Sequence, residues 1–427
     1  MGMHILLIGG GGREHALAEQ LSRSKHCGRL TCAPGNAGIA RVAECIPISA
    51  MQLDALVDFA VKNAVDFAVV APDDPLAAGL VDALEQAGIP AFGPTKAAAE
   101  IEGSKIFAKR LMDAHNIPTA SWQSFDNPDN ARAYIRDRGA PIVVKADGLA
   151  LGKGVVVART VPQALEAVGD MMENKSRGQA GSRLVVEECM TGPEVTVLAF
   201  TDGKTIKPMP SSRDHKRASD GDTGPNTGGM GAVSPAPGYD PEIARVCMET
   251  IFLPTVRAMA ADGRPFKGVL YFGLMLTPTG PQVVEYNARF GDPEAQAVLM
   301  LLETDLMDIL MAVRDERLDE VDIEWSADAA CCVVMASGGY PEKYETGVPI
   351  SGLPVLTPDL RIFHAGTAQK DGRLVTAGGR VLGVTARAPS LEQAVTQAYE
   401  AVAGISFENA HFRSDIGAAK VSRKPSP

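Results

Sequence analysis

A chain of 427 residues with 45% hydrophobic and 22% charged content can build roughly two to four domains with real cores, which excludes disorder as its general state. Its net charge of -11 and pI near 5.2 repel polyanions, so nucleic acid and anionic membranes are excluded as generic partners, while a local Lys/Arg cluster can still hold a small anion. Seven cysteines, with no C-x-x-C pair and with Cys331 beside Cys332, read as buried thiols of a reducing compartment and not as a disulfide frame or zinc site.

The opening run MGMHILLIGGGG is too short in apolar residues and lacks the basic flank of a secretory signal. Leu6 stands where N-myristoylation wants Ser or Thr, and no apolar stretch approaches the roughly 20 residues that span a bilayer. The chain is expected in the cytoplasm, without membrane partners. Residues 1–103 alternate the apolar runs HILLI, RLTCA, DFAVV and IPAFG with the helix-like segments ALAEQL, LDALVDFAVK and LAAGLVDALEQAG. That alternation predicts an α/β domain with a doubly wound parallel sheet.

Gly9-Gly10-Gly11-Gly12 joins the first strand to a helix opening at Arg13-Glu14-His15, so Gly10, Gly11 and Gly12 can turn backbone N–H groups toward a phosphate or carboxylate. A tight turn that binds nothing fits the same residues. A dinucleotide site is the natural rival, but its i, i+2, i+5 glycines would fall on Glu14 or His15, and no acid lies between Glu19 and Glu44 to hold a ribose hydroxyl. Asp73, in Pro72-Asp73-Asp74-Pro75 after the strand DFAVVA, sits where a parallel sheet presents a second ligand-facing loop. It is equally readable as a turn that stops the strand.

The second region, 104–327, supplies what a triphosphate and a hard divalent ion require. Lys105 opens a helix and Lys145 ends the strand PIVVK; Gly148 to Gly154 follows, with Gly152, Lys153 and Gly154 able to lie over phosphates. That stretch lacks the G-x-x-x-x-G-K-[ST] of a P-loop. Glu187 and Glu188 end the strand LVVEE, and Glu194 follows in T-G-P-E, acids able to accept from an adenine amine or ribose hydroxyl, or simply solvated strand-end charges. In VVEYNARFGDPE, Glu285 and Asn287 are two apart and share a strand face, so both oxygens can meet one Mg2+ or Mn2+ ion. Arg289 continues that face if the strand persists. From Asp214 to Pro235 the chain reads DHKRASDGDTGPNTGGMGAVSP without helical or strand periodicity, which predicts a long ligand-wrapping loop. The third region, 328–418, starts with the buried-strand pattern AACCVVMASGG and carries a hairpin signal at Asp371-Gly372. Residues 419–427 read as a loose tail.

With these motifs in place, the chain resembles the phosphoribosylamine-glycine ligases of the ATP-grasp superfamily over nearly its whole length. DHKRASDGDTGPNTGGMG and EYNARFGDPE are the most specific matches. The resemblance implies an N-terminal domain, an ATP-grasp core with a small mobile lid at about 123–190, and an α+β C-terminal domain. It also implies ATP-dependent joining of glycine to 5-phosphoribosylamine through a glycyl phosphate, in purine biosynthesis. Carried over, Lys105, Lys145 and the Gly152-Lys153-Gly154 loop match ATP-phosphate positions, Glu187 and Glu194 the base and ribose positions, and Glu285 and Asn287 the metal ligands. The ribosylamine would meet Gly10 to Gly12, Asp73, and Lys216, Arg217, Gly229 and Gly231 of the long loop. Arg289, Asp292 and Asp214 would lie near the reacting groups; His215 is a candidate base by residue type, but reads more readily as a loop hydrogen-bond donor. The implied partners are small-molecule substrates, for a monomer or weak dimer making at most transient contacts with neighbouring purine-pathway enzymes.

The chain departs from the family at Asp73, often Glu, and Arg213, often Gln, changes that bear on substrate positioning. The strand GVLYFGLML carries no further metal acid, so the metal count stays open. The rivals are another ATP-grasp carboxylate-amine ligase, which would lack the long loop after Asp214, and a non-catalytic nucleotide-binding module, which has no need of Lys145, Glu285 and Asn287 together.

Overall fold

The computed structural model describes residues 2–149, 154–176 and 178–418. Its first sheet has five parallel strands in the order Glu44–Cys45, Cys27–Pro34, Met3–Gly9, Phe67–Val70, Ala91–Phe92. The middle strand is covered on both faces, which is why Ile5 to Ile8 form an unbroken apolar run instead of alternating. Gly12–Arg23 and Leu53–Lys62 are helices as their spacing predicts. LAAGLVDALEQAG belongs to two helices, Asp73–Ala78 and Leu80–Gln86, broken at Gly79, whose φ of +96° ends the first with a left-handed cap. Because Met3–Gly9 and Phe67–Val70 are neighbours, the turn after Gly9 and the start of helix Asp73–Ala78, where a ligand-facing loop or turn was expected, open at one sheet edge.

The next unit is an antiparallel sheet in the order Trp122–Phe125, Leu184–Glu188, Ile142–Ala146, Val155–Ala158. Helices Pro128–Arg138 and Val161–Val168 close its own apolar cluster around Val144, Ile135 and Val186. A larger antiparallel sheet, Ile206–Pro208, Glu194–Asp202, Lys267–Thr277, Gly280–Asn287, meets it where Lys145 of the small sheet reaches the Val284 carbonyl. This larger sheet shares its cores with the N-terminal domain: Phe272 clusters with Leu6, and Phe200 with Ile5. Opposite Gly273 and Leu274 its last strand bulges at Val284, since Glu285 pairs Gly273 and Val283 pairs Leu274. The bulge re-aims the strand at the point where Glu285 and Asn287 follow.

The segment after Asp214 is more ordered than its sequence suggests. Arg217–Ser219 and Thr223–Asn226 form a hairpin, and Arg213–Asp214 pairs with Gly231–Ser234. These strands are two to four residues long, too short to establish a period of two, and the hairpin is largely exposed, so backbone pairing proceeds without apolar alternation. Gly231–Ser234 joins a third sheet with Ala329–Ala336, Arg380–Ala388 and Leu360–His364. The C-terminal domain thus takes two strands from the middle of the chain, and helix Leu391–Gly404 packs on the sheet. Thr367–Lys370 and Arg373–Thr376 form the hairpin signalled by Asp371-Gly372, both at positive φ. Among the described residues no helix is long and apolar enough to cross a membrane.

Candidate active site

The cleft between the two central sheets is floored by lysines. Lys145, at the end of the strand Ile142–Ala146, donates to the bulged Val284 carbonyl at 2.9 Å and pairs with Glu187 Oε2 at 2.8 Å. Lys109, from helix Lys105–Ala114, reaches the same carboxylate at 3.3 Å. Glu187 was expected at the adenine, but it is buried at 3% exposure with its charge matched by two lysines. On a strand whose alternate residues turn inward, an acid among buried valines needs such partners. Lys105 donates to the Gly148 carbonyl at 3.1 Å, and burial lowers its pKa. Gly154 accepts from the Ala146 N–H at 2.8 Å; Gly152 and Lys153 lie outside the described residues.

Across the cleft, Glu285 and Asn287 share a face of the strand Gly280–Asn287. Lys216 Nζ lies 3.1 Å from Glu285 Oε1 and 3.6 Å from Glu194 Oε2. Lys216 foremost, then Lys145 and Lys105, hold the Glu285 carboxyl down at about 2 against the opposing effect of burial. Lys216, expected at a ribosylamine phosphate, is therefore placed at the metal-candidate acid, and Glu194 stands beside it at the start of its strand. An ionised carboxylate and an amide oxygen on one face are hard ligands suited to Mg2+, and among the described residues Asn287 Oδ1 has only a 3.5 Å contact from Arg289 Nη2. The residues present fit a divalent ion.

The strand stops at Asn287, so Arg289 does not extend its face. Arg289 turns to Glu102, 2.9 Å away, with Asp73 at 4.0 Å, and Glu102 also accepts the Ala288 N–H at 2.7 Å. Asp292 is a junction of three domains: it accepts the Arg13 N–H at 3.3 Å and Gln296 Nε2 at 2.7 Å, and pairs with Arg380 at 3.3 Å. The glycine turn is likewise occupied from within. Gly11 N–H donates to Glu14 at 2.6 Å, and a Cβ at Gly10 or Gly12 would come within 2.6 Å of Gly35 O or 2.5 Å of Gln296 Nε2. Close packing accounts for these glycines, and two protein carboxylates already cap the helix that was expected to hold phosphate.

Asp214 is half-buried with its Oδ1 shielded from solvent, and burial, then the neighbouring Glu294, raise its pKa well above its ordinary value. A Cβ at Gly229, φ +114°, would lie 2.6 Å from Asp214 Oδ1, so only glycine lets that turn close over the acid. Asp214 Oδ1, Arg289 Nε and Gln296 Oε1 are buried without a hydrogen-bond partner, unmet polarity of the kind a ligand completes. Gly231 packs against Cys332 and Ile416 within its sheet, and Arg217 folds onto the Gly224 carbonyl at 2.8 Å, so neither joins this group. His215 contacts the Gly231 carbonyl at 3.2 Å and accepts the Gly417 N–H at 3.3 Å; burial lowers its pKa to about 4. Lys109, Glu102, Asp147 and Arg380 were not anticipated, because no motif or spacing marks them.

Two antiparallel sheets gripping a lysine-lined cleft, with a carboxylate–amide pair on the larger one, define an ATP-grasp protein. The biotin carboxylase–β,γ-ATP complex of Campylobacter jejuni shares this fold at a TM-score of 0.75 and 14% identity, covering 96% of this chain and 93% of that one. Models of phosphoribosylglycinamide synthetase match in succession: the N domain over residues 3–102, the ATP-grasp (A) domain over 103–295 and the C domain over 330–419. The chain belongs to the phosphoribosylglycinamide synthetase family, and it is an ATP-dependent ligase. The phosphoribosylamine–glycine ligase of Rhodopirellula baltica is 50% identical over 422 residues, 97% of each chain. That of Vibrio vulnificus (strain CMCP6) is 48% identical over 426 residues, 99% of each. The crystal structure of the Thermotoga maritima enzyme superposes at a TM-score of 0.86 with 32% identity, covering 97% of this chain and 100% of that one.

Proposed function

We propose that the ligation runs in two stages across this cleft, with the lysines on one wall and the acids on the other dividing the work. The reaction is the family's: ATP-dependent joining of glycine to 5-phosphoribosylamine, giving glycinamide ribonucleotide, ADP and phosphate, in purine biosynthesis. In the first stage a glycine carboxylate oxygen attacks the γ-phosphorus and ADP leaves. In the second the ribosylamine nitrogen attacks the acyl carbon of glycyl phosphate, phosphate leaves, and the nitrogen gives up one proton. The chain's contribution is positioning and electrostatics.

Lys105 and Lys145 neutralise the phosphates. Glu285 and Asn287 would hold Mg2+ or Mn2+, which when bound would supply positive charge to neutralise the phosphates. Arg289 and Asp73 place the ribosylamine at the sheet edge, and Asp214 in its ionised form, with Oδ1 free of any hydrogen-bond partner, takes its proton. The observation that carries this reading is Glu285, one carboxylate kept ionised in the field of Lys216, Lys145 and Lys105. The seven unpaired cysteines support a cytoplasmic setting.

The test is ADP release with ATP, magnesium, glycine and freshly generated phosphoribosylamine, each omitted in turn. Dependence on every component is expected, with Glu285→Ala slower by roughly a hundredfold or more. Turnover that persists in Glu285→Ala would remove the metal role, and ADP release indifferent to ribosylamine would overturn the two-stage scheme.

A further inference from the structure

The hairpin at 217–226 has no apolar face, yet Asp214, His215 and Lys216 stand at its root. Its order comes from the far end of the chain. Arg413, only 1% exposed, donates to the Arg217 carbonyl at 3.2 Å and to Asp222 Oδ1 at 3.0 Å. Its other nitrogens make a two-pronged bond to Asp415 at 2.6 and 2.7 Å. Asp415 in turn accepts the Gly221 N–H at 2.8 Å, and Ser414 fastens Asp220 through its N–H at 2.9 Å and its hydroxyl. Two residues further on, Gly417 N–H donates to His215 Nε2 at 3.3 Å, directly beside Lys216. A guanidinium buried this deeply costs too much desolvation to persist unless its donors are engaged, and here each of its three nitrogens binds either the hairpin or the residue that binds the hairpin.

We propose that Arg413 is a positioning residue for the ligation: it locks the segment 411–417 onto the hairpin and so fixes Lys216 and Asp214 opposite Glu285. The proposal rests on the roles given above to Lys216 and Asp214. Arg413 touches no reacting atom. Its loss should therefore show most at glycine and ribosylamine, which meet the Asp214 side of the cleft, and less at ATP, which Lys216 reaches only through Glu285 while Lys105 and Lys145 lie on other elements.

The experiment compares the full-length wild type with Arg413→Met, Arg413→Lys and Ser414→Ala, measuring KM for each substrate, thermal unfolding, and hydrogen exchange of 215–229. Arg413→Met should raise KM for glycine or ribosylamine roughly tenfold or more, a bidentate charged bond being lost. The ATP KM should rise by a smaller factor than either acceptor KM, and 215–229 should exchange faster. Arg413→Lys keeps the charge without the fork and should fall between. If Arg413→Met does not fold, Ser414→Ala, which removes one bond at an exposed site, should shift the same constants in the same direction by a smaller factor. Unchanged acceptor KM values in folded variants would overturn the proposal. So would kcat falling only in proportion to folded protein. Failure of the underlying reading shows separately, as a Lys216→Met enzyme whose KM values for all three substrates match the wild type.

Discussion

Lys109 shares the Glu187 carboxylate with Lys145 and donates to Thr119 Oγ1 at 2.7 Å. Burial, only partly opposed by Glu187, pushes its pKa down to about 8. In the unfolded chain a lysine titrates near 10.4. Between about pH 8 and about 10.4 the unfolded state therefore holds a proton that the folded state has shed, and stability from this group rises with pH. Below pH 8 the cost of burying the cation is fully present. Lys109→Met removes that group while leaving the Lys145–Glu187 pair, so urea unfolding across pH 7 to 10.5 should show wild type gaining on the variant as pH rises. A constant difference would mean that Lys109 keeps its proton throughout.

At the scale of elements, one carboxylate couples the small sheet to the helix that carries Lys105. Asp147, just past the strand Ile142–Ala146, accepts from Ser104 Oγ at 2.9 Å and from the Ile106 N–H at 3.0 Å, and pairs with Arg183 at 2.6 Å. It thereby helps to cap helix Lys105–Ala114 from another element, alongside the cap made by Ser104 itself. Asp147→Ala should cost about 1–3 kcal/mol of stability. It should also raise the KM for ATP, because Lys105 and Gly148 lose their common anchor. Calorimetry and ATP titration of the rate check both, and a variant indistinguishable in the two would refute the coupling. The hairpin at Arg217–Asn226 shows the opposite situation: an element with little stability of its own, held by residues almost two hundred positions away.

For the whole molecule, the third sheet decides what can be removed. Gly231–Ser234 pairs with Ala329–Ala336 from Gly231↔Val333 to Ser234↔Ala330, and Arg380 bonds the Gly228 and Asp292 carbonyls at 2.8 and 2.7 Å. A chain ending at Ala327 keeps the residues proposed to hold the nucleotide but exposes a strand edge whose four residues are all buried in the full chain. It should be insoluble or lack a cooperative melt, as expression and scanning calorimetry can establish. A soluble, sharply melting 1–327 would show that the sheet is dispensable.

What the sequence determined by itself is what depends on near neighbours. Apolar runs between helix-like segments gave the parallel sheet, a period of two placed Glu285 with Asn287, and Asp371-Gly372 marked its hairpin. Strand geometry and turn conformations are fixed by a few consecutive residues, so they leave a local signature. Tertiary structure alone decided that Glu187 answers to Lys109 and Lys145, that Lys216 faces Glu285, and that Asp292 ties Arg13 to Arg380. Those partners are brought together by packing of separate domains, and the worth of each charge follows from its burial and its neighbours, which no spacing along the chain encodes.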